Sequence, residues 1–516
     1  MSRLSRAVTV LGCLSLASVG FAPGCAHSTG DTGSANLGDD GGAEAGGCGI
    51  TGCDGAVTSS SSGGGPKVAC PTGLQCDVAC AGGKTTTTIK GKVYDPALRN
   101  GLYDITVYVP AVPLKPLPAG VPTGADACSC SALFKSGAVV STVTGVDGSF
   151  ELADAPVGTQ VPLVIQVGKW RREVMINVEA CEENRQPDRS LSLPGTLVGA
   201  GPNDSMPDIA VSTGASDTLE CLMLRMGIPA SEYVAGPGTT GHVHVFAGGS
   251  SVGGLSGLRE EPPMPGAPDS STNLWDTPAH LMPYDMVLLS CEGGETYNAN
   301  PANLEAYLNA GGRAFGSHYH YAWFTPPLES YQSYLPPPDW GDALASWTVG
   351  SIGGTQSNGR IVQMLNESGE TFTKGQALYQ WLGINGALGV LDAPPEELPM
   401  YPPRFNAVVG PRNKPSQPWI NDDLSGSTMY FSFNTPVNAP PGPHGGAPAY
   451  CGRAVYSDLH VGGETMPSDQ PPPPSGCADA PLSPQEKALE FMVFDLSSCV
   501  LPDWMPPSDA GVPVTQ

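Results

Sequence analysis

Two histidines stand one residue apart in GGRAFGSHYHYAWF, residues 311–324, and a third lies in RAVYSDLHV, at position 460. Neutral imidazole ligates zinc, copper or iron, and it also moves protons near neutral pH. His318, His320 and His460 are therefore the candidate metal ligands, with zinc or another transition metal as the cation. For catalysis the candidates are His318 and His460, with Asp458 placed to orient the His460 ring. Ser317, Tyr319, His320, Glu292 and Ser212 bring hydroxyl, phenol, imidazole and carboxylate groups from neighbouring loops and are the candidate ligand-binding residues. The plainer reading makes the same histidines hydrogen-bonded polar residues at strand ends. Cys291 precedes a glycine loop, but no basic residue stands near it in sequence to lower its pKa. It reads as a disulfide partner or a buried thiol.

These groups converge only if the elements carrying them do. MPDIAVSTGASDTLECLMLRMGI reads as a strand, a turn and a helix, with Leu219, Leu222, Met223 and Met226 on one helical face, Ser216 as cap and Gly227 as stop. HVHVFAGG and YDMVLLSCEGGE are further strands, the latter a continuous apolar run closed by glycines, as buried parallel strands are. NPANLEAYLNAGG is a helix, with Pro301 near its start and Gly311 past its end. TMYFSFNTP and RAVYSDLHV are late strands, and LSPQEKALEFMVFDLSSC opens with a capping box, Ser483 to Glu486. Strands alternating with helices predict an open, mostly parallel, flavodoxin-like sheet flanked by helices over residues 205–500. In such sheets ligands gather beyond the carboxyl ends of the strands. If the strand holding His318 continues, alternation puts His318 and His320 on one side.

YDMVLLSCEGGE, NLEAYLNAGGRAFGSHYHY and RAVYSDLHV, in that order, resemble the class I glutamine amidotransferase-like fold and its trehalose-utilisation (ThuA-like) branch. The resemblance puts His318 in the place of the amidotransferase nucleophile, with Gly316 beginning the turn, and His460 in the place of that family's histidine. The family's cysteine is missing at position 318, and Val461 and Gly462 replace the Pro-Glu after the histidine. Amidotransfer needs an activated thiolate, so that activity is not expected. The proline-rich stretch from Thr325 to Arg412 is not covered.

Residues 85–195 carry a different pattern. TTTTIKGKVYDP and YDITVYVP alternate with period two, Asp147-Gly148 sits between strand-like runs as a hairpin signal, and VPLVIQVGKWRREVMINV reads as two more strands. Together they predict a small β-sandwich, giving an α/β plus β chain. The segments resemble the carboxypeptidase regulatory-like, or transthyretin-like, module. That resemblance implies an accessory domain without peptidase activity. LKPLPAGVPTGADACSCSALFKSG is a loop insertion stapled through Cys128 or Cys130.

The N-terminus sets the compartment. Arg3 and Arg6 precede an apolar run from Ala7 to Ala22 and small residues before Cys25, the layout of a secretory signal over residues 1–24. APG-Cys25 resembles a bacterial lipobox, in which that cysteine takes the lipid. Residues 25–84 begin as a Gly-, Ser- and Asp-rich tether with too few large apolar side chains to fold, and residues 501–516 are a flexible tail. Of 15 cysteines, thirteen remain after Cys13 and Cys25, and export makes disulfides their expected state. With 24 Lys and Arg against 49 Asp and Glu, the net charge of -25 excludes a nucleic-acid partner. The expected function is a noncatalytic cell-envelope lipoprotein, anchored in the outer membrane or secreted, that binds a glycan, a polymer or an envelope protein. The alternative is a metal-dependent or histidine-based hydrolase acting on a carbohydrate or cell-wall substrate.

Overall fold

The computed structural model describes residues 70–82, 86–249, 263–295, 301–325, 337–348, 353–441, 448–460 and 471–505, with the backbone of a short hairpin at Ser251–Val252 and Leu255–Ser256. All described residues belong to the unit Ala56–Gln516. The signal, Cys25, Cys48, Cys53, most of the tether and the tail beyond residue 505 lie outside the described residues.

Strand outweighs helix, 28% against 18%, so sheets set the architecture. Two four-stranded sheets come first. Thr88–Tyr94 pairs antiparallel with Ser149–Leu152 and parallel with Glu183–Arg185 and Leu191–Ser192. Thr106–Pro110 lies between Ala138–Val143 and Gly158–Val167, and Trp170–Val178 closes the far edge, all antiparallel. Ile105, Val107 and Val109 enter the shared core with Ile89, Leu152 and Ile165. The opposite face is also buried: Tyr108 and Val164 pack under Leu114 and Phe134 of the insertion. The expected hairpin at Asp147-Gly148 is a turn between sheets, because the strands it joins pair with different partners. Gly148 takes φ +83° there, and a Cβ would meet the Val93 carbonyl oxygen at 2.6 Å. The true hairpin is at Gly168-Lys169, with Gly168 at φ +54°.

Residues 209–457 build a ten-stranded sheet. Tyr233–Ala235, Val243–Phe246, Ile209–Ser212, Met286–Leu289, Arg313–Ser317 and Gly452–Ser457 lie side by side in that order, all parallel. Thr428–Thr435, Ser416–Asp422, Ser357–Ile361 and Leu398–Met400 then extend the sheet antiparallel. IAVS and MVLL are buried throughout, as strands covered on both faces must be. Helix Leu219–Arg225 starts after Thr218, later than a Ser216 cap would place it, because the Ser216 amide donates to the Cys291 carbonyl at 3.0 Å instead. Gly227 ends it at φ +100°, and Gly311 follows helix Ala302–Asn309 at φ +120°. Helix Pro484–Ser497 carries the Ser483–Glu486 capping box with both reciprocal bonds.

The two parts of the chain share apolar contacts. Trp170 meets Phe494 edge-on at 5.8 Å, Tyr103 stacks on Phe491, and Trp381 Nε1 donates to the Gly101 carbonyl at 2.6 Å. Among the described residues, five disulfides pair Cys70–Cys76, Cys80–Cys181, Cys128–Cys451, Cys130–Cys499 and Cys221–Cys477. The insertion is therefore stapled by both of its cysteines, and each staple runs to the ten-stranded region. Among the described residues Cys291 alone is free, and no helix among them is long and apolar enough to cross a membrane.

Candidate functional site

Sheet register assembles the centre. Leu289 pairs with Gly316 and Gly316 with Tyr456, so the residues two places beyond these partners align: Cys291, His318 and Asp458. Strand Arg313–Ser317 does not continue into HYHY. It stops where His318 takes φ +41°, and His318–Trp323 winds into a 3₁₀ turn. Such a residue held in the left-handed region marks a locally constrained site. At about 120° per residue, a 3₁₀ turn sends His320 away from His318. The expected same-side pair is thereby broken. His320 Nδ1 lies 3.2 Å from the Ser317 carbonyl, and its ring packs on Trp323.

Cys291 fills the position left by His320. Its sulfur is 3.2 Å from His318 Nδ1, and His460 Nε2 is 3.1 Å from the same nitrogen. The three donor atoms lie within 4.8 Å of one another, and all three residues are buried. Burial, together with the His460 and Arg404 charges, holds His318 well below the usual imidazole pKa. Burial beside Arg404 takes His460 to about 3, and burial takes His320 to about 4. The rings are neutral at pH 7 and offer lone pairs. Burial and the Asp217 charge push the Cys291 thiol up to about 12, although backbone amides of Gly293 and Tyr319 hydrogen-bond the sulfur. At pH 7 it is a resting thiol, not an activated nucleophile.

Asp458 acts through Tyr456 rather than through the His460 ring. The Tyr456 hydroxyl is 2.9 Å from the His318 carbonyl and 2.8 Å from Asp458 Oδ1, and Asp458 Oδ2 accepts from the Asn406 amide at 2.7 Å. Burial raises the Asp458 carboxyl to about 7, against the opposing hydrogen bond that the Tyr456 hydroxyl donates to it. Gln485 donates to the His460 carbonyl from the first turn of its helix. Ser317 donates to Asp217, and Ser212 lies 2.7 Å from Ser270. Ser212 and Glu292 meet at Gly248, where a Cβ would stand 2.5 Å from Glu292 Oε1. Tyr319 covers the His318 ring at 3.9 Å between centroids. The structure thus gathers Cys291, His318 and His460, keeps Asp458 and Tyr456 behind them, and leaves His320, Ser212 and Glu292 apart. The sequence alone reads Cys291 only as a disulfide partner or buried thiol; the parallel register of MVLL with RAFGS, two residues extended, is the signal that places it beside His318.

A second feature, unmarked in the sequence, is an open cleft of about 950 Å3, adjoining solvent included, at the antiparallel side. Its lining includes Asn366, Lys414, Ser416, Asn434, Tyr450 and Trp504. Ser416 Oγ and Asn434 Oδ1 are buried and have no hydrogen-bond partner among the described residues. The segment bearing Trp504 is fixed by Cys130–Cys499, by an Asp503–Arg453 ion pair and by Asn434 donating to the Leu501 carbonyl at 3.1 Å. The indole itself is 59% exposed. A second cleft beneath the insertion, about 760 Å3 with adjoining solvent included, differs in kind, for Lys169 and Arg313 in its wall spend their donors on Asp285 and backbone carbonyls.

Compared with family models, curated proteins and solved structures, the chain matches none.

Proposed function

We propose that this is an exported cell-envelope lipoprotein that binds a glycan or glycan-like polymer through the Trp504 cleft. The signal, the lipobox-like Cys25 and the tether would hold a body of transthyretin-like and amidotransferase-like modules away from a membrane. Five disulfides favour an oxidising compartment. One observation carries the ligand class: an exposed indole on a cleft whose wall includes the polar side chains of Asn366, Lys414 and Tyr450. A sugar ring has a C–H face that lies against an aromatic plane and hydroxyls at its edge for polar side chains of the cleft wall. Hydrolysis has less support, because His318, His320, His460 and Asp458 are 0–3% exposed.

Pull-down on insoluble cell-wall and polysaccharide preparations tests the reading. Wild type is expected in the bound fraction and Trp504→Ala in the supernatant, with unchanged melting temperatures. Equal retention of both proteins contradicts the cleft. Metabolic labelling with palmitate tests the anchor: label that persists when Cys25 is replaced by Ser rules it out.

A further inference from the structure

We propose that Cys291, His318 and His460 form a binding site for one borderline or soft transition-metal ion, of the class of zinc(II) or copper(I). The site is separate from the cleft and stands without it.

The first ground is distance. Ligation at about 2.0–2.1 Å to nitrogen and 2.3 Å to sulfur puts neighbouring donors of a tetrahedron roughly 3.3–3.6 Å apart. The sulfur-to-His318 and His460-to-His318 edges, 3.2 and 3.1 Å, are close to that spacing. The remaining edge is within 4.8 Å, so modest rotation of one side chain closes the triangle. The second ground is valence. An imidazole nitrogen has one in-plane direction for a hydrogen-bond partner. His318 Nδ1 faces two donors of other residues at once, an arrangement hydrogen bonding satisfies poorly and a shared cation satisfies fully. With Nδ1 ligated, Nε2 carries the ring proton, and Nε2 is the atom left without a partner among the described residues.

The surroundings fit a thiolate ligand. Amides of Gly293 and Tyr319 point at the sulfur, and such outer bonds tune a metal–thiolate pair. The loop over Cys291 admits no side chain at Gly214, whose Cβ would collide with the Cys291 carbonyl. Tyr456 and Gln485 hold the carbonyls of His318 and His460, fixing the two ligand backbones. Donor type sets the metal. One sulfur and two imidazoles suit zinc or copper, whereas calcium and magnesium take oxygen. Three protein ligands leave a tetrahedral ion one position for water or a small ligand.

The test uses untagged full-length protein carrying Cys48→Ser and Cys53→Ser, disulfides intact, with cobalt(II) as probe and zinc(II) as competitor. Expected are about one equivalent bound, a thiolate-to-cobalt charge-transfer band, and displacement by zinc. Cys291→Ser removes the band, and His460→Gln weakens binding by more than the 10–100-fold typical of an outer-shell loss. Circular dichroism establishes that each variant is folded. Should neither fold, the wild-type spectrum decides alone, since only a sulfur ligand gives that band. No binding, binding without the band, or equal affinity in folded Cys291→Ser overturns the proposal.

Discussion

Replacing Glu490 by glutamine is expected to flatten the dependence of stability on pH. Asp95 and Glu490 are fully buried where the first sheets meet helix Pro484–Ser497. Asp95 Oδ1 accepts from the Arg99 amide and Glu490 Oε2 from Asn100 Nδ2, each at 2.6 Å. Asp95 Oδ2 and Glu490 Oε1 have no other partner among the described residues, so the two carboxyls satisfy each other only by sharing a proton. Burial raises both pKa values, Glu490 further through Asp95, against weaker opposing effects of Arg99 on Asp95 and of Asn100 and Lys487 on Glu490. An unfolded carboxyl releases its proton near pH 4, while the folded pair keeps one. The contribution is thus complete below about pH 4 and is lost as pH rises towards the folded pKa. The slope is at most about 1.4 kcal/mol per pH unit, reached where the folded pair keeps the proton that the unfolded chain has released. Glutamine donates to Asp95 without titrating. Urea unfolding at pH 5, 6 and 7 should show wild type losing more stability than Glu490→Gln over this range, by up to about 1.4 kcal/mol per pH unit. Other raised carboxyls, such as Asp458 and Asp285, titrate in both proteins and cancel. Parallel slopes for the two proteins would refute the shared proton.

Two further outcomes follow from buried or cross-linked groups. Lys169→Met strands Asp285, which burial already raises, and removes the donor to the Gly120 carbonyl. A loss of about 3–5 kcal/mol in urea unfolding is expected, partly restored by adding Asp285→Asn, and a loss under about 1 kcal/mol would show that the pair contributes little. Removing Cys80–Cys181 as a double serine variant opens a loop with a sequence separation of 101 and should cost about 4–5 kcal/mol in the same assay; an unchanged midpoint would mean the cross-link is not constraining the unfolded chain.

The parallel half of the large sheet is legible in the sequence because burial on both faces demands unbroken apolar runs, and IAVS and MVLL have them. Helix Pro484–Ser497 is legible because capping is a local contract between Ser483 and Glu486. The antiparallel half is not. SNGRI and SQPWIND contain Gly, Pro and polar residues, and only their neighbours in the sheet make them strands. At the centre, His318 and His460 are found by their position at strand tips. His320 misleads because period two fails once His318 leaves the extended region. Cys291 is legible as a buried thiol but not as a neighbour of His318, because that group comes from 27 residues away, through parallel register rather than sequence proximity. The cleft escapes notice for the same reason, since Asn434, Ser416 and Trp504 come from three separate segments.

The stapled insertion also constrains how the protein is made. Cys128 and Cys130 find partners at Cys451 and Cys499, 323 and 369 residues downstream. At about 5–20 residues per second, those partners are synthesised roughly 15–75 s after the insertion. Throughout that interval two thiols separated by a single serine have no native partner to bond. Maturation therefore depends on a disulfide isomerase or on delayed oxidation, and a host lacking either would accumulate chains cross-linked among the early cysteines.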